Sequence, residues 1–288
     1  MATVAEEIDK HPPSLFNLRA QDNSSLPIFR LPPETLSNIF IHGARDYHES
    51  TDRHTFRVPD WVNVSYVGSH WRNVALNCAT LWTYHFNVSI RWTEELLARS
   101  KEASLKIRIH FDHWSRAMSW WSDLLVKLLS YADRIQELSL RIPDMVLPPN
   151  LSLCAPRLQI LDIDKYFGNP SDWHATMDDG DIPPLRIVKL TGSSLLWHSF
   201  NLSGVTTLFL SAVPAPFRRN TVEFLATLRC MQGLTVLHLE YALSSSLSDG
   251  AFRVSPKIGL PCLSRLFVIA PLSTVVALLS CTDIPLKT

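Results

Sequence analysis

The sequence predicts an α/β chain in which an N-terminal all-helical module precedes an irregular solenoid of strand-and-return repeats with a parallel strand stack. Three observations predict it. Between Leu31 and Cys78, apolar residues recur at steps of three and four. From Tyr84 to Tyr131, alternating and helical patterns take turns. From Ile135 onward one unit, apolar-x-x-apolar-x-apolar, returns at residues 135, 158, 185, 205, 234 and 263. Neighbouring units begin 20 to 29 residues apart, the length of one short strand plus a returning segment. No single unit buries its own apolar face, so the stack supplies the core.

Residues 1–25 read as a flexible N-terminal arm. At residue 33 a proline fixes φ at the first helical position and Glu34 complements the helix dipole. Leu36, Ile39, Phe40 and Gly43 then follow on one predicted face. The stretch from His42 to Arg57 is polar and reads as a solvated loop; its histidines lack the tight pair spacing of structural metal sites. Asp60 is placed to cap a second amphipathic helix carrying Trp61, Val64, Val67, Trp71, Val74, Ala75 and Cys78. Gly68 falls inside that helix, at a cost of about 1 kcal/mol.

Tyr84 to Ile90 alternates like a strand, and Thr93 is placed to cap a helix with Leu96 and Leu97 inward. Alternation resumes from Leu105 to Phe111, and Trp120 to Tyr131 presents Trp121, Leu124, Leu125, Leu128 and Leu129 on one helical face. In the six units, side chains alternate across each strand. Leu138, Leu161, Val188, Leu208, Leu237 and Leu266 should form one inward column. Ser139, Asp162, Lys189, Phe209, His238 and Phe267 should then form the central column of the concave face. Two aromatics among polar and charged groups suit a protein or peptide target.

Leu31-Pro32-Pro33-Glu34 with Ile39-Phe40, then Val67-x-x-x-Trp71-Arg72-x-x-Ala75, then Leu81-Trp82 resemble the F-box, in the F-box-like form common in fungal chains. The match runs from Leu26 to about Asn87. It departs from the family at Gly68, where Cys is usual, at Ala79, where Pro is usual, and in the longer insertion between the helices. The resemblance implies a Skp-type adaptor as partner and, through it, a cullin scaffold. It assigns Leu31, Pro32, Leu36, Ile39 and Phe40 to the adaptor surface. Val67, Trp71, Leu81 and Trp82 stand either beside them or in the module's own core, as large aromatics in small helical modules usually do.

The six units resemble a degenerate leucine-rich-repeat array. Pro143, Tyr166 and Ser193 stand where the family has Asn in the first three units, so irregular turns are expected. The implied organisation is an arm at 1–25, an F-box-like helical domain at 26–87 and a leucine-rich-repeat-like solenoid at 88–288.

Composition narrows the function classes. Lys plus Arg equals Asp plus Glu at 27 each, so no global field draws in nucleic acid or an anionic membrane. There is no Gly-x-Ser-x-Gly elbow, phosphate loop, His-Glu-x-x-His or Cys-x-x-Cys, and no catalytic residue, metal or cofactor is expected. His174 with Asp178, Asp179 and Asp181 sits beside Gly180 and Pro183-Pro184 and reads as a solvated turn. The acidic N-terminus has no signal segment. Cys78, Cys154, Cys230, Cys262 and Cys281 read as reduced core residues, so a cytoplasmic or nuclear location is expected. Leu266 to Thr282 is seventeen residues without a charge, but Pro271 and three hydroxyl residues interrupt it and its first part belongs to the sixth unit, so no membrane span is expected.

The expected function is therefore that of a substrate-recognition subunit of a cullin-based, SCF-type ubiquitin ligase, not itself an enzyme, which binds an unknown protein substrate on the repeat face. A non-ligase scaffold using the same F-box is the alternative. An enzyme built on the 178–181 loop is a third class.

Overall fold

The structure, a computed structural model, describes residues 26–50, 58–86, 89–110, 120–143, 150–153, 155–166, 174–177, 183–195, 201–244 and 257–284. Pro33 opens helix α1 (Pro33–Ser50) as predicted, but the helix runs on to Ser50, into the stretch read as a loop, whose remainder from residue 51 to 57 lies outside the described residues. The apolar stripe carries it: Leu36, Phe40 and Ala44 are buried at steps of four, and Tyr47 and His48 continue the same side. His48 is accordingly a buried ring rather than a loop side chain.

The second amphipathic stretch is not one helix. Asp60–Tyr66 is a 3-10 helix, the backbone is extended at Gly68 (φ −179°, ψ 168°), and α2 (Ser69–Asn77) starts anew behind it. Gly68 is thus an N-cap, and the interior-glycine cost does not arise there. Its lack of a side chain matters for space instead, since a Cβ would stand 2.9 Å from the Phe29 ring. Phe29, in the 3-10 helix Pro27–Arg30, packs on Trp71 with ring centroids 5.7 Å apart, and Trp71 packs on Phe40 at 5.1 Å. A third 3-10 helix, Ala79–Thr83, delivers Leu81 and Trp82 to the centre of this cluster. The Trp82 indole donates to the Ala75 carbonyl at 2.7 Å, meets Trp61 edge-on at 5.4 Å and carries the Arg99 guanidinium 4.3 Å above its face.

The strands are β1 (Tyr84–Phe86), β2 (Leu105–His110), β3 (Ile135–Pro143), β4 (Asn150–Leu153), β5 (Ile160–Tyr166), β6 (His174–Met177) and β7 (Ile187–Thr191). They continue with β8 (Ser194–Leu195), β9 (Thr207–Ser211), β10 (Val236–Glu240), β11 (Ile258–Gly259), β12 (Arg265–Ile269) and β13 (Thr282–Asp283). Eight of them form one open sheet in the order β1-β2-β3-β5-β7-β9-β10-β12, every pair parallel. The six units supply the last six strands in common register. Leu138, Leu161, Val188, Leu208, Leu237 and Leu266 align across them. All but Leu266 are buried; that side chain lies on the edge strand and is half-buried. The sheet also extends two strands before the first unit. Ile107 and Ile109 pair with Leu138 and Leu140, and His85 pairs with Ile107 in the inward column. The first strand therefore falls within residues 26–87 and still belongs to the sheet.

Helices α3 (Ile90–Ser100), α4 (Trp120–Leu129), α5 (Thr221–Leu228) and α6 (Leu272–Cys281) cover one face of the sheet, with Leu97, Leu128, Phe224 and Leu278 in its core. Ser89, not Thr93, precedes α3; the Thr93 hydroxyl donates back to the Ser89 carbonyl at 3.2 Å. After β3, β5 and β7 the returns are short strands that pair as β4-β6-β8, so His174 lies in a strand within the stretch read as a loop. Asp178, Asp179 and Asp181 lie outside the described residues.

The turns, expected to be irregular, are joined by two ladders. Gly192, Ala212 and Tyr241 each follow a strand with positive φ (65°, 50° and 48°). Their N–H groups donate to the carbonyls of Ser211, Glu240 and Ile269 at 2.8–2.9 Å. At the other strand ends the hydroxyls of Thr206, Thr235 and Ser264 donate to Arg186, Thr206 and Thr235 carbonyls at 2.8–3.1 Å. Backbone amides after the strands and hydroxyls before them thus satisfy carbonyls at both ends of the sheet.

Four cysteines are free thiols, and Cys230 and Cys262 are exposed, unlike the core positions expected of them; Cys154 is outside the described residues. Among the described residues no helix is long and apolar enough to cross a membrane, and no group of His, Cys, Asp or Glu is placed to hold a metal ion.

Candidate protein-interaction surfaces

The residues that the F-box resemblance assigns to an adaptor divide by burial. Leu36, Phe40, Leu81 and Trp82 are in the module's core and touch no partner unless the module opens. This corrects the single outward stripe expected on α1. Leu36 and Phe40 are one turn apart and face Trp71 and Trp82, whereas Ile39 is rotated roughly 100° from Phe40 on a helix of 3.6 residues per turn and faces out. Leu31 and Trp71 are half-buried. Pro32 is exposed, Ile39 is 49 % exposed and Val67 43 %. Leu26, Ile28 and Tyr66 are further exposed apolar groups of the same module, not singled out from the sequence. Contact of Phe29 with Trp71 and with the backbone at Gly68 brings the Pro27–Arg30 turn beside Val67. The Trp71 indole nitrogen is buried and has no hydrogen-bond partner.

On the sheet face away from the helices, Ser139, Asp162, Lys189, Phe209, His238 and Phe267 pair in sequence across β3, β5, β7, β9, β10 and β12. The row continues back through Arg108 on β2, which pairs in turn with Phe86 on β1. It is polar at the β2 end and aromatic at the β12 end. His238 lies between two phenyl rings, 3.9 Å from Phe209 and 4.3 Å from Phe267 by ring centroids, stacked on both. Glu240 stands on the same face, 3.7 Å from the His238 imidazole and accepting from the Ser211 hydroxyl at 2.8 Å. Phe267 closes the row on the edge strand and is 47 % exposed.

Charges on this face are mostly paired within it: Lys106 with Glu137 at 2.8 Å and Arg141 with Asp164 at 3.3 Å. Burial raises the Asp162 pKa, an effect that the Lys189 charge beside it partly offsets. Arg108 is occupied elsewhere. Its guanidinium donates to the carbonyls of His48 and Glu49, satisfying orphan groups at the end of α1 and fixing that helix to the first strands of the sheet. Tyr84 completes the junction, with the His48 ring 5.3 Å away and Lys106 over its face.

Sequence patterns missed Arg108 because its partners lie sixty residues away, and missed Tyr241 because nothing local marks positive φ at a tyrosine. No protein-family model matches this chain, and no curated protein and no solved structure matches it.

Proposed function

We propose that this chain is the substrate-recognition subunit of a cullin-based, SCF-type ubiquitin ligase. An F-box-like module docks a Skp-type adaptor, and the open face of a leucine-rich-repeat-like array holds a protein target. One observation carries this proposal. The residues resembling the F-box share one core, completed by Leu96 from α3, yet they leave Leu26, Ile28 and Val67 exposed around Phe29, and Ile39 exposed on α1. Several exposed apolar groups on one small module are what a partner's binding surface requires.

The chain performs no chemistry in this function. It holds a target near a ubiquitin-loaded enzyme brought by the cullin and raises the effective concentration of a target lysine. The junction at Arg108 supports such a role, because it ties the adaptor-facing helix to the sheet. From β2 to β12 there are six strand steps, so a target seated on Phe267 lies roughly 29 Å along the sheet from that junction, at about 4.8 Å per strand.

Ile39→Asp combined with Val67→Asp is expected to abolish co-purification of the Skp-type adaptor while leaving the circular dichroism spectrum unchanged, since both side chains already face water. Phe40→Ala, by contrast, should cost about 3 to 5 kcal/mol of stability as a core deletion. Undiminished adaptor capture by a natively folded double variant would overturn the proposal. A purified complex holding the adaptor without any cullin would favour the non-ligase scaffold instead.

A further inference from the structure

We propose that the cleft beyond the C-terminal ends of β10 and β12 binds an extended peptide by an acidic side chain set next to an apolar one. This extends the target-binding half of the function proposed above and rests on it, but not on the adaptor half. The cleft measures about 370 Å³ and is lined by Arg218, Tyr241, Leu243, Ile269, Ala270 and Pro271. That volume lies within the range of built ligand sites, and apolar walls with one convergent charge are their usual composition.

Arg218 supplies the charge. Its Nε donates to the Val213 carbonyl at 2.7 Å, which holds the guanidinium plane in place. No described carboxylate pairs with it, and the nearby Glu240 is already engaged by Ser211 and His238. A pinned guanidinium in an apolar cleft is a fork for a carboxylate. A peptide's terminal carboxylate is usually captured by backbone N–H groups. Here those of Arg218 and Tyr241 are consumed by the carbonyls of Ala215 and Ile269. What the cleft offers is the Arg218 fork, and an acidic side chain of the peptide takes it. A phosphodiester backbone would need a row of cations, and among the described residues one lines the cleft.

Tyr241 is the second observation. At the corresponding turns stand Gly192, which adopts positive φ freely, and Ala212, which shares the strain but carries only a methyl group. A tyrosine there is strained, and at 54 % exposure the ring gains little from burial within the chain. Tyr241 lines the cleft. Strain tolerated at a lip, with no folding benefit, points to use by a ligand. The apolar part of the peptide has a track leading there, because Phe267 and Ile269 lie two residues apart on one face of β12, the first continuing the ring stack and the second entering the cleft.

The test is selection of a random peptide library, displayed with no free C-terminus, against the full chain. Enriched peptides should carry Asp or Glu beside a bulky apolar residue. As synthetic peptides they should bind equally with acid and amidated ends. Changing the acidic residue to its amide, or Arg218→Gln in the protein, should each weaken binding about tenfold or more. Tyr241→Gly should lose binding while raising the thermal midpoint by roughly 2 °C, opposite signs that a structural role does not produce. The proposal is overturned by no enrichment, by enrichment without acidic residues, or by binding only of acid-terminated peptides. Undiminished affinity of the Arg218→Gln chain, or a lowered midpoint in Tyr241→Gly, likewise counts against it.

Discussion

Replacing Leu208 by alanine is expected to destabilise the sheet by about 2 to 5 kcal/mol, and replacing it by aspartate to unfold it. Leu208 is 0 % exposed and sits in the middle of the inward column, between Val188 on one side and Leu237 on the other. Deleting its methyl groups removes their transfer free energy and leaves a cavity between two neighbouring strands that the ladder hydrogen bonds hold in place. An aspartate there would bury a charge with no partner. Domains are marginally stable, at about 5 to 15 kcal/mol, so the second change exceeds what the fold can absorb. The control is Phe267→Ala on the opposite face, where a half-exposed ring should cost less than about 1 kcal/mol. Urea titrations of the two variants decide the matter. Equal losses would mean that the two faces are not divided into a core side and an open side.

Acid is expected to weaken the fold well above the carboxylate range, by about 4 kcal/mol between pH 7.5 and pH 5. Two buried histidines cause it. Burial pushes the His48 imidazole from the ordinary 6.5 down to about 3, with the Arg108 and Lys106 charges acting the same way. Burial likewise takes His85 down to about 3, helped by Arg134. In the unfolded chain both rings gain a proton as the pH falls through about 6.5, whereas the folded chain keeps them neutral until about 3. Between those values the unfolded state binds more protons, so stability is full above the upper limit and is lost as the pH drops, by about 1.4 kcal/mol per unit for each ring. Neither ring nitrogen of His85 has a hydrogen-bond partner, and it occupies a position where the next strands carry Ile107 and Leu138. His85→Leu should therefore stabilise the chain at pH 5 and halve the slope, measured as urea midpoints across pH 5 to 8. An unaltered slope in that variant would refute the assignment.

Much of the fold was legible from short-range pattern. The six units share a strict strand period, so the leucine column and the row from Ser139 to Phe267 follow from counting alone, because side chains alternate whatever lies around them. Pro33 and Glu34 mark the start of α1 in the same way. The end of α1 was hidden, since the polar residues His42, Arg45 and Asp46 mask the inward positions Ala44, Tyr47 and His48. The break at Gly68 was hidden too, since Trp61 to Cys78 keeps helical spacing across a residue that is extended.

By itself, then, the sequence determined the strand period, the order and register of the repeated units and the amphipathic segments of the N-terminal module, all of which depend on residues a few positions apart. Only the tertiary structure decided which side of α1 is core, through Trp71 and Trp82 packing on Leu36 and Phe40 rather than Ile39. It alone joined that helix to the sheet through Arg108, placed a histidine among leucines at residue 85, and closed a cleft around Arg218 and Tyr241. Each of these arises from contact between segments distant in the chain, where burial and backbone hydrogen bonding override local preference and leave no periodic trace in the residues themselves.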